Sequence, residues 1–167
     1  LSGANTFTGQ TTIQGGVIRL LNIDGLGSTS GNTVVISGGI LELSAGTNYT
    51  TEENITLNGS GQINEGALRK TNSGTDRVDF NITLGSDAEI EVPAGGGTLD
   101  FRGNFDYGGH TATFDGAQNF TFGSGSTFQN ADKTSGFGAI NKTGSGTLTI
   151  RPTLDLTGNL RIAGGEV

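Results

Sequence analysis

Apolar side chains recur two residues apart along most of the chain, in short runs set off by Gly, Asn, Ser and Thr. The pairs are Ile18/Leu20, Val34/Ile36, Leu41/Leu43, Ile55/Leu57, Phe80/Ile82/Leu84 and Ile90/Val92, followed by Leu99/Phe101, Phe120/Phe122, Leu148/Ile150, Leu154/Leu156 and Leu160/Ile162. Such alternation predicts half-buried strands with two or three inward side chains each, and helical spacing is missing almost throughout. Two-residue hairpin signals are rare, Asn58-Gly59 being the main one, so the pattern does not predict a regular antiparallel meander.

Internal repetition points to the architecture. Thr8-Gly9-Gln10-Thr11-Thr12-Ile13-Gln14-Gly15-Gly16-Val17-Ile18 returns as Thr157-Gly158-Asn159-Leu160-Arg161-Ile162-Ala163-Gly164-Gly165-Glu166-Val167. A shorter phrase, a glycine pair followed by alternating apolar residues, recurs at Gly15–Leu20, Gly38–Leu43 and Gly96–Phe101, with a variant at Gly144–Ile150. A glycine pair turns a corner with φ > 0 at low cost, and the alternation after it sends one set of side chains inward and the other to solvent. One coil cannot cover its own apolar face, so coils must stack through parallel backbone pairing. The expected fold is a right-handed, single-stranded parallel β-helix. Coils of roughly 20 residues give about eight layers, about 38 Å at the usual strand spacing.

Composition narrows the function classes. Gly 31, Thr 24, Asn 14 and Ser 12 make up nearly half of the 167 residues, while Leu, Ile, Val and Phe number 41, enough for a thin core. No apolar run approaches the roughly 18 residues of a membrane helix. With no cysteine, disulfides, thiolate metal sites and cysteine nucleophiles are excluded. Nine basic against sixteen acidic residues give a net charge of −7, which disfavours nucleic acid and acidic lipid as partners. The chain starts at Leu1, has no Met, and stops at Gly164-Gly165-Glu166-Val167 within a repeated phrase. Residues 1–167 are therefore expected to be one β-solenoid segment of a longer protein.

Two stretches carry a family resemblance. Lys142-Thr143-Gly144-Ser145-Gly146-Thr147-Leu148-Thr149-Ile150 resembles the first half of the autotransporter-associated β-strand repeat. Leu1-Ser2-Gly3-Ala4-Asn5-Thr6-Phe7-Thr8-Gly9, running on through Thr11, Thr12, Ile13, Gly15 and Gly16, resembles the second half. After Ile150, Arg151-Pro152-Thr153 departs from the pattern. The resemblance covers roughly 40 residues. It implies a solenoid scaffold in the passenger of an exported protein, displayed on or released from the surface of a diderm bacterium, often in adhesins and virulence proteins. No catalytic residue, cofactor or metal travels with it.

Several residues invite a sharper reading. Asp87, Glu89 and Glu91 alternate with Ala88, Ile90 and Val92, and so share one strand face; they fit a cation or sugar site, or simply a solvated, self-repelling face. Asp76, Arg77 and Asp79 form a second charged patch, expected to be a loop with local ion pairs. The calcium-binding nonapeptide and Asp-x-Asp-x-Asp-Gly patterns are absent. His110, the only histidine, reads as a surface turn residue rather than a triad member or metal ligand.

Seven of the nine Phe residues fall between Phe101 and Phe137, including Phe105, Phe114 and Phe128, and are expected to stack coil upon coil. Phe105 and Tyr107, beside Gly103 and Gly108-Gly109, are the aromatic residues expected to be exposed, where they would suit carbohydrate stacking. Gly95-Gly96-Gly97, Gly144-Ser145-Gly146, Gly123–Ser126 and Gly136-Phe137-Gly138 are expected to be corners. They lack the Lys-Ser/Thr and helix of a phosphate loop. The sequons Asn48-Tyr49-Thr50, Asn54-Ile55-Thr56 and Asn119-Phe120-Thr121 carry no expected role.

The expected function is a non-catalytic structural and adhesive segment of an extracellular or surface-displayed protein, without catalytic residues, cofactor or metal. Its expected partners are neighbouring coils, host-cell or matrix surfaces or glycans, and other copies end to end. The alternative is a polysaccharide-binding or polysaccharide-degrading β-helix, with acids and bases among Asp76, Asp79, Asp87, Glu89 and Glu91.

Overall fold

The computed structural model describes residues 1–123, 127–129, 139–152 and 158–167, with only the backbone at 127–129. The strands form three ladders that run along a solenoid of about six turns, and every strand pair among the described residues is parallel. The first face stacks β1 (Thr11–Ile13), β3 (Thr33–Val35), β5 (Asn54–Gly59), the first half of β8 (Asn81–Glu91), β10 (Asn104–Asp106) and β13 (Thr127–Gln129). The second stacks β2 (Gly16–Leu20), β4 (Gly39–Leu43), β6 (Leu68–Lys70), the second half of β8, β11 (Thr111–Asp115), β14 (Ala139–Lys142) and β16 (Leu160–Ile162). The third holds β7 (Thr75–Val78), β9 (Thr98–Phe101), β12 (Asn119–Phe122) and β15 (Leu148–Ile150).

About six turns replace the eight expected, because the coils are longer than 20 residues. Register partners on successive turns lie between 19 residues apart, at Thr147 and Glu166, and 29, at Gly59 and Ala88, and most are 22 or more apart. Six layers span roughly 29 Å. The extra length sits at the corners. Asn58-Gly59 does not reverse the chain: β5 ends there in a bulge, and residues 60–66 swing out before β6 joins the second face.

The core is a set of in-register rows. Ile13, Val35, Leu57 and Leu84 stack on the first face; Leu41, Leu68, Ile90 and Phe114 stack on the second. Each side chain meets a like shape one strand spacing above and below, so a thin interior still excludes water. The expected inward pairs are buried in β4, β5, β8, β9 and β12; Ile18 of β2 and Ile150 of β15 are only half-buried, and two pairs depart from the expectation. In β3 the inward residue is Val35, and Ile36 is exposed, because the row is set by Ile13 and Leu57 on either side. Leu160 and Ile162 form the expected strand but stay exposed on the last coil, where no further layer covers them among the described residues. Leu154/Leu156 lie outside the described residues, as do Phe137 and the side chain of Phe128.

Repeated phrases mark corners rather than equivalent positions. Gly16 pairs with Gly39 on the second face, as their shared phrase predicts. Gly97 and Gly146 instead precede third-face strands, and the late copy at Leu160–Ile162 lies on the second face whereas Thr11–Ile13 lies on the first. What these sites share is close stacking of backbone. Gly97 has φ of 66°, and a Cβ there would run into the carbonyl of Gly74 in the coil below.

Gly97→Ala is expected to lower stability by about 2–3 kcal/mol, from backbone strain plus the clash. Gly16→Ala, with φ of 73° but open space around it, should cost only about 1 kcal/mol. Urea midpoints of the two variants check the difference.

Candidate functional site

Phe105 and Tyr107 are not at the surface. Both point inward from β10 and its end, 1 % and 0 % exposed, because Phe105 stacks on Ile82 in the first-face row. They join Phe101, Phe114, Phe120 and Phe122 in an aromatic core. Phe101 and Phe122, register partners on the third face, are stacked with centroids 4.9 Å apart and rings 21° from parallel; Phe105 meets both edge-on. The expected stacking is thus present for the five described side chains of the cluster, and the expected exposed sugar platform is not. Alternation decided it: Asn104 and Asp106 take the outward positions.

The charged outer row of the second face follows a rule the sequence reading missed. Arg19, Glu42, Arg69, Glu91 and Asp115 are successive register partners, so charge alternates up the stack until Asp115. Arg19 pairs with Glu42, and Arg69 lies 3.1 Å from both Glu91 and Glu65. Asp115 breaks the alternation and crowds a third carboxylate against Glu91 and Glu89. Successive members of this row lie 22 to 27 positions apart, so pairing them requires knowing the coil lengths.

Asp87, Glu89 and Glu91 do share one face, while Ala88, Ile90 and Val92 are buried, as the alternation predicts. Their environments differ. Asp87 is exposed, accepts the Thr111 N–H at 2.8 Å and lies 3.8 Å from half-exposed His110. Glu91 is tied to Arg69. Glu89 borders a depression of about 250 Å³ with Gly59, Ser60 and Thr113. Its Oε1 is buried without a hydrogen bond, and desolvation, then Asp115 and Glu91, push its carboxyl up to about 7. A carboxyl poised there can hold or release a proton at neutral pH. Among the described residues no group of three or more potential ligands is arranged to hold a metal ion.

Asp76 and Arg77 lie on β7 rather than in the expected loop. Asp76 is buried, facing inward on the Leu99 row. It serves Lys70, an equally buried residue at the end of β6 whose ammonium lies 3.9 Å away. Lys70 donates to the carbonyls of Asn72 at 2.6 Å, Gly74 at 3.1 Å and Gly96. Burial pushes the Lys70 ammonium down and the Asp76 carboxyl up, each opposed by the other's charge. Lys142 does a similar task at the end of β14, donating to Thr143 and Gly144 carbonyls. Lys70-Thr71-Asn72-Ser73-Gly74-Thr75 and Lys142-Thr143-Gly144-Ser145-Gly146-Thr147 are the sequence signal: each lysine closes the corner between second and third faces.

The rest of the second patch opens on a groove. Arg77 clasps Asp79 with two hydrogen bonds, 2.8 and 3.1 Å, and Arg102 clasps Asp100 at 2.9 and 2.7 Å. With Glu52, Asn81 and Asn104, Arg77, Asp79 and Arg102 line a cavity of about 530 Å³ at the corner between third and first faces. Asn54, Asn81 and Asn104 form a ladder beneath it: Asn81 Nδ2 donates to Asn54 Oδ1 and its Oδ1 accepts the Asn104 N–H, both at 3.3 Å. The sequon asparagine Asn54 is a rung of this ladder.

Glu89 keeps its proton to about pH 7 in the folded state and to about 4.5 when unfolded. The folded state therefore loses stability as pH rises from about 4.5 to about 7, and regains it as pH falls. The raised carboxyls of Glu53, Asp76 and Glu91 add to the same slope. Glu89→Gln is expected to gain about 1–2 kcal/mol at pH 8 and nothing near pH 4, allowing for screening of this part-exposed group. Denaturation across pH 4–8 measures it, and the carboxyl resonance of Glu89 should titrate near 7.

No protein-family model matches the chain, and no curated protein or solved structure is significantly similar to it.

Proposed function

We propose that this chain is a non-catalytic structural and adhesive segment, a stiff β-solenoid that holds binding surfaces at a fixed spacing. One observation carries the reading: among the described residues the interior is filled by in-register apolar and aromatic rows, interrupted near the corners by Lys70, Asp76 and Lys142, while charge is paired along the outer faces. Such an object transmits shape through parallel backbone bonds on three faces, so its stability is a sum over neighbouring coils. The likeness of Lys142–Ile150 and Leu1–Gly16 to the autotransporter-associated repeat supports placing it in an exported passenger at the surface of a diderm bacterium. Host-cell or matrix surfaces and glycans are the partner classes that fit that setting.

Hydrogen exchange checks the scaffold. Amides of β5, β8, β9 and β11 should be the most protected, and those of β1, β2 and β16 the least. Uniform protection, or rapid exchange of the central coils, would overturn it.

Of the nine large apolar residues left exposed among the described residues, Leu1, Phe7, Val17, Leu21 and Ile36 lie on the first two coils and Leu160, Ile162 and Val167 on the last; Ile63, in the excursion at 60–66, is the exception. These edges suit β-pairing with a further layer, and in the isolated chain a second copy supplies it. Sedimentation velocity should show concentration-dependent association that the Val17→Lys/Ile162→Lys double variant removes; unchanged association would refute edge pairing.

A further inference from the structure

We infer that the groove between the third and first faces is a binding site for a neutral oligosaccharide. The inference deepens the adhesive reading above, and rests on the scaffold for the rigidity of the groove walls.

The walls come from three successive coils. Glu52 precedes β5, Arg77 and Asp79 belong to β7 and its end, Arg102 follows β9, and Asn104 opens β10. Consecutive levels are one strand spacing apart, about 4.8 Å, close to the length of one pyranose ring. A glycan lying along the solenoid axis would therefore present one sugar to each level. The cavity, about 530 Å³, falls within the range of about 300–1,000 Å³ of small-molecule sites.

Charge and chemistry select the ligand class. Asp79 and Asp100 each hold the Nε–Nη2 edge of an arginine, and the Nη1 groups of Arg77 and Arg102 have no hydrogen-bond partner among the described residues. Both guanidinium charges are thus offset by carboxylates, and Glu52 adds a third acid. A phosphate, sulfate or uronate would meet net repulsion. Among the described residues no aliphatic or aromatic side chain lines the groove, so an apolar ligand gains little there. Fixed donors beside fixed acceptors suit vicinal hydroxyls, each of which both gives and takes a hydrogen bond. The arrangement is held before any ligand arrives by the bidentate Arg77–Asp79 pair, by Arg102 donating twice to Asp100 Oδ2, and by the asparagine ladder. Gly103 at the floor is explained by coil stacking, since a Cβ there would strike the Phe80 carbonyl.

The test is a titration of the ¹⁵N-labelled chain followed by amide shifts. The probes are tetrasaccharides of β-1,4-glucose, α-1,4-glucose, mannose and N-acetylglucosamine, with tetragalacturonate as the charged member. At least one neutral probe is expected to bind with a dissociation constant on the order of 1 mM. Its shifts should be confined to the three wall segments, 51–53, 77–81 and 102–104. Arg77→Gln, an exposed substitution that leaves the core untouched, should weaken binding roughly tenfold, the weight of one charge-assisted hydrogen bond. Silence from every neutral probe, shifts at other positions, tighter binding of tetragalacturonate, or an unaffected Arg77→Gln variant would each overturn the site. None of these results touches the exchange pattern that tests the scaffold, so the two readings fail separately.

Discussion

The parallel hydrogen bonds between coils, and the closeness of approach they require, constrain everything else in this molecule. Layers one strand spacing apart leave no room for a side chain wherever the chain turns from one face to the next. At Gly97 and Gly103 the backbone of one coil rests on a carbonyl of the coil beneath, and a single added carbon would separate the layers. The abundance of glycine, 31 of 167 residues, answers that steric demand at a subset of corners and allows longer excursions at others. Once the layers are in contact, register is forced, and with it the identity of each side chain's neighbours above and below.

Register converts sequence into rows, and rows decide where polar groups can be tolerated. Inside, Lys70 and Asp76 replace apolar residues in otherwise greasy rows, an arrangement that costs desolvation of two charges. The ammonium recovers part of that cost by closing three corner carbonyls that stacking leaves turned inward. Tyr49 acts in the same way at the neighbouring turn: its hydroxyl accepts the Ala45 N–H and donates to the Leu20 carbonyl, and burial pushes its pKa to about 12. Corners of a solenoid are thus both the tightest and the most polar parts of its interior.

Outside, the same rows organise charge. The alternation from Arg19 to Glu91 neutralises a stripe of the second face, and its failure at Asp115 concentrates negative charge around Glu89. On the opposite side, Arg77 and Arg102 each find an acid two residues away, which turns a set of surface ion pairs into the walls of a groove. Individually such pairs contribute little to stability. Held by a stack of coils, they contribute shape.

The β-solenoid was legible because its demands are local: period-two alternation over three to five residues, glycines at turns, and no helical spacing. The burial of Ile90, Val92, Phe120 and Phe122 follows from those local rules alone. The coil count was not legible, since corner excursions such as residues 60–66 add length without a periodic signal. Nor was the fate of Val35, Phe105, Tyr107 and Asp76. Glycines beside Phe105 and Tyr107 suggest an exposed turn, yet the row above Ile82 draws Phe105 inward, and the charge of Asp76 suggests a surface loop although Lys70 waits for it in the core. Sequence by itself determined the strand content, the repeated corners and the acidic, cysteine-free surface. Tertiary structure decided phase, coil length and partners across coils, because those depend on contacts between residues 19 to 29 positions apart that no local pattern records.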